Sequence, residues 1–235
     1  MNRRVFIQST LLTAAWAAHR PAAAGQPDRH SGRWIIPTNK PDRFGLKVMA
    51  FNPILKPDLA AYRLSITGLV HESLQLTTAD LGRLVKVKQN SRLKCVQCWS
   101  GRIDWEGFRA QDLLKLAPLK AGAGWVRVDC ADKYYDFVTL ADLLHPRTLF
   151  ATAMQGEALT PEHGAPLRLV LPHKYGYKSS KLITSLTFLD KGGRGLQADG
   201  MPYYSETGDI LPGVDHPFEF PDEIRKIPGG EITEY

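Results

Sequence analysis

Hydrophobic and polar residues in this chain alternate in short runs, and clusters of Gly, Pro, Asp and Asn separate them. Tyr62-Arg63-Leu64-Ser65-Ile66 alternates and stops at Gly68, the pattern of a strand. Thr77 or Thr78 is placed to cap a short helix through Ala79, Leu81 and Leu84. Residues 85–96 open with alternating Val and Lys and predict a strand that carries Cys95 near its end. Residues 111–116 predict a second short helix, and Ala121-Gly122-Ala123-Gly124 a turn. Strands follow over 125–128 and 135–138, and Thr139 caps a helix over 140–144. Residues 149–154, 167–171 and 182–188 complete the strands. From Lys191 onward Gly and Pro dominate, which predicts a long arm wrapping the surface.

Short strands interleaved irregularly with short helices predict an α+β fold of mixed β-sheets in a single domain. Residues 25–58 read as an irregular lead-in and 59–235 as the domain with its C-terminal arm. No internal repeat appears, and neither a strand–GxGxxG–helix unit nor a Walker loop, so doubly wound nucleotide-binding folds are disfavoured.

The charge first suggests an acidic partner: the formal net charge is +6. Residues 1–24 hold Arg3, Arg4 and Arg20 and no carboxylate, so without them 27 basic residues face 24 acidic ones, leaving +3. The remaining basic groups form no stripe, which argues against nucleic acid. Asn2-Arg3-Arg4-Val5-Phe6-Ile7-Gln8 is a twin-arginine pattern. An apolar stretch over 11–18 and Pro21-Ala22-Ala23-Ala24 follow it. Together they predict a twin-arginine signal peptide over 1–24 and export to the periplasm, against the alternative of a basic tail that stays attached. No apolar stretch reaches the roughly 20 residues a membrane-spanning helix needs.

Three cysteines, Cys95, Cys98 and Cys130, leave an odd thiol in an oxidising compartment, explained either by burial or by metal ligation. Lys94-Cys95-Val96-Gln97-Cys98-Trp99-Ser100 holds a CxxC pair with three readings. A redox pair would open a helix in a βαβ setting, which is missing here. A zinc half-site would need a second CxxC or HxxxH. The third reading is one ligating thiolate beside a buried thiol.

The segment Cys95-Val96-x-x-Trp99-Ser100, with Trp105-x-Gly107-Phe108 and Asp112-Leu113-Leu114, resembles the cofactor-ligating segment of the sulfite oxidase family. The likeness is greatest to its small periplasmic subgroup of protein-methionine-sulfoxide reductase catalytic subunits. A longer match runs from Met154 to Pro172, through Pro161-Glu162-His163-Gly164-Ala165-Pro166-Leu167-Arg168, and on through Tyr175-Gly176-Tyr177-Lys178-Ser179-Ser180-Lys181. The resemblance covers roughly residues 60–220. It implies a molybdenum-molybdopterin cofactor whose one protein sulfur ligand is Cys95, a soft thiolate suited to a metal already held by dithiolene sulfurs. It also implies contacts to the pterin and its phosphate from His163, Arg168, Ser179, Ser180 and Lys181. An Arg fork, a Lys charge and backbone N–H groups suit an anion. Cys130 aligns with a small polar residue near the pterin, and a core thiol is the equal alternative. Tyr203 or Tyr204 falls near the family's active-site tyrosine. His216, in Asp215-His216-Pro217, is either a proton carrier or a structural histidine. Asn52, Arg102, His173 and Lys174 are weaker candidates for lining a site.

The implied chemistry is oxygen-atom transfer, either sulfoxide reduction or sulfite oxidation, on a small-molecule or protein-sulfoxide substrate. Sulfite would need a cationic pocket, to which Arg102, Arg109 and Arg127 are the candidates. Electrons would pass to or from a separate partner, expected to be a haem protein and able to sit in a membrane. The chain itself has no CxxCH motif for covalent haem. No residues remain for the larger relatives' second domain, so a monomer is expected. The competing reading is a non-catalytic exported cofactor-binding or electron-transfer module.

Overall fold

Which face of each strand is buried follows from the alternation. β3 (Leu64–Gly68) buries Leu64 and Ile66. β7 (Trp125–Cys130) buries Val126, Val128 and Cys130, and β8 (Tyr135–Thr139) buries Asp136 and Val138. β12 (Ile183–Leu189) buries Ile183, Leu186 and Phe188, its alternation broken where the register shifts between Ile183 and Ser185. With β4 (Leu74–Leu76) they form a five-stranded sheet ordered β4-β3-β12-β7-β8. β12 lies parallel to β3 and antiparallel to β7, so the sheet is mixed. The computed structural model describes residues 36–44, 46–50, 52–96, 100–200, 204–210, 214–215 and 225–226. The expected signal peptide, Cys98, Tyr203 and His216 lie outside them.

A second sheet, ordered β10-β9-β6-β5, carries the cysteine segment. It consists of β5 (Val87–Lys94), β6 (Ser100–Phe108), β9 (Leu149–Met154) and β10 (Glu157–Ala158), and β11 (Arg168–Val170) also pairs with β9. β5 and β6 pair from Val87↔Gly107 to Lys94↔Ser100. At Gly107 the register of β6 on β9 shifts, and an added Cβ would lie 1.9 Å from the Phe150 carbonyl oxygen. Only glycine lets β9 close on β6 there.

Phe108, Phe150, Leu167 and Leu169 pack with Leu64, Val126, Val128 and Phe188 of the first sheet into one core. Each such side chain contributes roughly 1.5–3 kcal/mol by leaving water. A second core joins Leu93, Ile103, Trp105, Ala151 and Val170 with Leu46. The helices are short, as expected. α1 (Thr78–Gly82) starts at a capping box between Thr77 and Asp80. α2 spans Ala110–Leu114, and α3 (Leu140–Leu143) is capped by Thr139. No described helix is long and apolar enough to cross a membrane.

Two expectations need correction. The irregular lead-in holds an antiparallel hairpin of β1 (Ile36–Pro41) and β2 (Lys47–Ala50). Its turn is organised by Asp42, whose Oδ1 accepts the Phe44 and Leu46 N–H groups at 2.8 and 2.9 Å. The arm after Lys191 is interrupted by helix α4 (Leu196–Gly200), which forms because Leu196 and Ala198 bury against Tyr175 and Tyr204. Farther on, β13 (Val214–Asp215) pairs with β14 (Arg225–Lys226).

Candidate active site

Cys95 follows directly on β5, and the end of that strand is clamped. Lys94 forms a parallel bridge with Tyr175, and the Tyr175 N–H donates to the Gly208 carbonyl at 2.7 Å. A Cβ at Gly176 would meet the Lys94 carbonyl oxygen at 3.2 Å, tighter than most contacts. The strand end therefore lies against the 175–181 segment, and half-buried Cys95 lies with it.

The other half of the site begins at a 3₁₀ turn, Pro161–His163, which ends on Gly164 at φ 95°. A Cβ at Gly164 would lie 2.7 Å from Lys181 Cβ and 2.9 Å from its Cα. The bare glycine is what lets the Lys181 segment close on the His163 turn. Gly164→Ala is expected to destabilise the fold by about 1–2 kcal/mol through the left-handed conformation alone. A loss no larger than that in denaturant unfolding would show that the Lys181 contact relaxes, and an unchanged midpoint would show that the turn gives up its left-handed residue.

These segments enclose a cavity of ≈ 130 Å³, roughly ten times what a single water needs. Cys95, His163, Arg168, Ser179, Ser180, Lys181 and Tyr204 all line it. Arg168 is buried, its guanidinium 4.9 Å from the Trp105 ring centroid. It donates to the carbonyls of His163 (3.2 Å) and Ser179 (3.5 Å). Lys181 Nζ donates to Met49 O at 2.7 Å and to Glu162 O at 2.9 Å. Burial pushes the Arg168 pKa down to about 10. Burial and then the Arg168 charge push Lys181 down to about 8, and the same two causes lower His163. Three basic groups thus raise one another's electrostatic cost on one wall. Arg168 Nε, Ser180 Oγ and Gln197 Oε1 are buried without a hydrogen-bond partner among the described residues. A buried polar atom left so costs about 1–3 kcal/mol. An anion among the basic groups would accept from the Arg168 N–H and the Ser180 O–H and offset the crowded charge, whereas Gln197 Oε1, an acceptor, calls for a donor.

Cys130 does not line the cavity. It is buried one layer back, beside Ser180 but closing no hydrogen bond to its hydroxyl, and burial raises the thiol pKa well above its usual value. Asn52 also lies behind the wall, donating to the carbonyl of Asp132, which does line the cavity. His173 and Lys174 turn to Asp142 instead, and Lys174 also to Asp209. The three arginines weighed for a cationic pocket do not converge. Arg102 bonds Asn90, Arg109 bonds Gln89 and the Thr148 carbonyl, and Arg127 pairs with Asp129 beneath Tyr135. Lining residues not foreseen are Leu46 to Ala50 of the hairpin, Tyr134, Tyr177 and Gln197. Tyr134 donates to the Tyr177 carbonyl at 2.6 Å, and the Tyr177 and Tyr204 rings meet edge-on at 4.7 Å. Tyr175 and Tyr177 stood in the motif run and could have been weighed. Gln197 carried no signal.

The family model described as oxidoreductase molybdopterin binding domain matches residues 51–196. The chain belongs to this family. Among its relatives, the putative protein-methionine-sulfoxide reductase subunit YedZ1 of Azospira oryzae is 36% identical over 129 residues, covering 55% of this chain and 49% of the relative. The uncharacterized oxidoreductase YuiH of Bacillus subtilis is 36% identical over 133 residues, covering 56% and 67%. The protein-methionine-sulfoxide reductase catalytic subunit MsrP of Campylobacter jejuni is 29% identical over 174 residues, covering 66% and 59%. The matches therefore span about half to two thirds of these relatives' length. The fold is also that of the sulfane dehydrogenase SoxCD from Paracoccus pantotrophus, at a TM-score of 0.61 and 22% identity over 76% of this chain and 50% of that one. The α+β, mixed-sheet expectation and the sulfite-oxidase-like resemblance both hold.

Proposed function

We propose that this chain is an exported molybdenum-molybdopterin oxidoreductase that transfers an oxygen atom at sulfur, in the direction of sulfoxide reduction. The observation that carries this reading is the sharing of one cavity by Cys95 and the three basic groups His163, Arg168 and Lys181. The donor set fits the cofactor: a thiol for the metal, and a fork, an ammonium and an unpaired Ser180 hydroxyl for a phosphate. Cys95 would ligate the molybdenum, and Arg168, Lys181, His163, Ser179 and Ser180 would hold the pterin and its phosphate. When bound, the cofactor supplies two-electron oxygen-atom transfer. The protein's part is to orient it, exclude water and shape the approach to the metal. Cys130 would serve as packing behind Ser180.

The direction rests on the wall beside Cys95. Val96, Tyr134, Tyr177 and Tyr204 cluster there, and Arg102, Arg109 and Arg127 are engaged elsewhere. Among the described residues this suits a neutral sulfoxide better than a sulfite dianion. The names of the MsrP and YedZ1 relatives point the same way. Burial raises the pKa of Tyr134 and Tyr177, so both phenols stay protonated, and each donates to a backbone carbonyl, of Tyr177 and of Ser205 respectively. Electrons would arrive from a separate haem protein, and residues 1–24 would direct export to the periplasm. The test is molybdenum and pterin analysis of the purified protein, followed by turnover with methionine sulfoxide and with sulfite, using a redox dye. Stoichiometric molybdenum with sulfoxide turnover supports the reading. Molybdenum without turnover on either substrate would make the chain a cofactor-carrying module instead.

Lys181 also gives the cofactor site a pH dependence. Its pKa of about 8 in the empty cradle would rise once a phosphate sits beside it. Below pH 8 the ammonium is charged in both states, so Lys181 adds no slope there. Above pH 8 binding must take up a proton, and affinity falls by up to about tenfold per pH unit. Pterin release measured from pH 6 to 10 should show that break, and Lys181→Met should abolish it.

A further inference from the structure

The β1–β2 hairpin precedes the residues matched by the family model, yet it supplies Leu46 to Ala50 to the cavity wall. Leu46 plugs the second core, where Gly101 makes room: a Cβ there would sit 2.7 Å from the leucine. Beyond that plug, the hairpin is held by the cradle's own basic groups. Lys181 Nζ donates to Met49 O at 2.7 Å. Asp42 Oδ2 lies 2.6 Å from His163 Nε2, and the Phe44 ring meets the imidazole edge-on at 5.8 Å. Asp42 Oδ1 is taken up by the Phe44 and Leu46 N–H groups of the turn. Oδ2 is buried and makes no well-aligned hydrogen bond among the described residues. The contact to His163 is close but poorly aligned, and it becomes a full ion pair only when the imidazole is protonated.

We propose that the β1–β2 hairpin is a retention clasp for the group bound in the cradle, and that Asp42 is the positioning residue that docks it on His163. The inference rests on the molybdopterin reading above. His163 faces Asp42 from the hairpin, Arg168 from β11, and Lys181 and Glu162 from the flanking turns. Arg168 and Lys181 disfavour the imidazolium, and Asp42 favours it. A phosphate in the cradle offsets the two cations, so the imidazolium forms more readily and holds the Asp42 carboxylate harder. The same phosphate keeps Lys181 protonated and on the Met49 carbonyl. Occupancy and hairpin docking thus strengthen each other, and by linkage a docked hairpin slows release by the same factor that the bound group tightens the hairpin.

The test uses the loaded protein and two readouts other than activity: release of the fluorescent pterin on dilution, and amide hydrogen exchange over residues 46–50. Asp42→Asn keeps the turn's acceptor and removes the charge. It is expected to release pterin about tenfold faster and to lose protection at 46–50, with the unfolding midpoint of the cofactor-free form unchanged. Asp42→Glu should restore slow release. Arg43→Ala removes the exposed ion pair with Glu157, which contributes little, and should release pterin at the parental rate. Parental release and exchange in Asp42→Asn would overturn the proposal and leave the molybdopterin reading standing. Arg43→Ala matching Asp42→Asn would also overturn it, by making hairpin docking generic. A purified protein with no pterin at all would defeat the reading itself and the clasp with it.

Discussion

Cys95→Ser is expected to yield a folded protein with no molybdenum above background and turnover lowered by more than about a hundredfold, since even partners one shell removed from a metal cost 10–100-fold. Cys95 is half-buried at a strand end, outside the cores that hold the sheets together. Substitution there should move stability by no more than about 0.5 kcal/mol. Serine keeps the size and loses the soft thiolate, so loss of metal at unchanged stability isolates ligation from packing. Cys130→Ala is the matched comparison. That thiol is buried and protonated behind the wall, so its loss should cost stability and leave the metal in place. Retention of molybdenum by Cys95→Ser, with retained turnover, would remove Cys95 from the ligand set.

How legible the site was depended on how locally each part is built. The run from His163 to Lys181 was readable because its residues stand in one continuous motif; two 3₁₀ turns and one short strand carry it, and Gly164 lets Lys181 close on the His163 turn. Cys95 was readable from the motif around it, since β5 alternates only at its start and then buries Ser91 to Lys94 without a break. β6 was not read as a strand, although Ile103 and Trp105 alternate with exposed Arg102 and Asp104. Its glycines at 101 and 107, needed for close packing, look in sequence like breaks. That same alternation explains the arginines: Arg102 sits on the outward face of its strand, so it points away from any cavity the inward face could line. The hairpin was hidden by its composition, because Pro, Asn, Asp and Gly mark an irregular segment and only the tertiary contacts of Leu46, Asp42 and Met49 make it a wall.

Arg168→Met is expected to have opposite effects on the empty and the loaded protein. In the loaded state the guanidinium would make charge-assisted, forked contacts to the phosphate in a buried setting. Losing such a buried charged partner costs about 2–5 kcal/mol, which slows capture or speeds loss of the cofactor by about thirtyfold to several thousandfold. Without a bound anion, Arg168 is a buried charge satisfied, among the described residues, by two carbonyls at 3.2 and 3.5 Å and by the face of Trp105. Its depressed pKa records that burden. Methionine fills similar space, keeps a favourable contact with the indole, and relieves Lys181 and His163 of a neighbouring cation. The cofactor-free variant should therefore be as stable as the parent or more so, by up to about 4 kcal/mol. Arg168→Lys would keep the charge without the fork, and is expected to retain cofactor poorly and gain no stability. Denaturant unfolding of the cofactor-free forms, set beside pterin release from the loaded ones, separates the two effects. If Arg168→Met instead unfolds more easily when empty, the carbonyls of His163 and Ser179 need the guanidinium to hold the wall together, and the cradle's charge belongs to the fold before it belongs to any ligand.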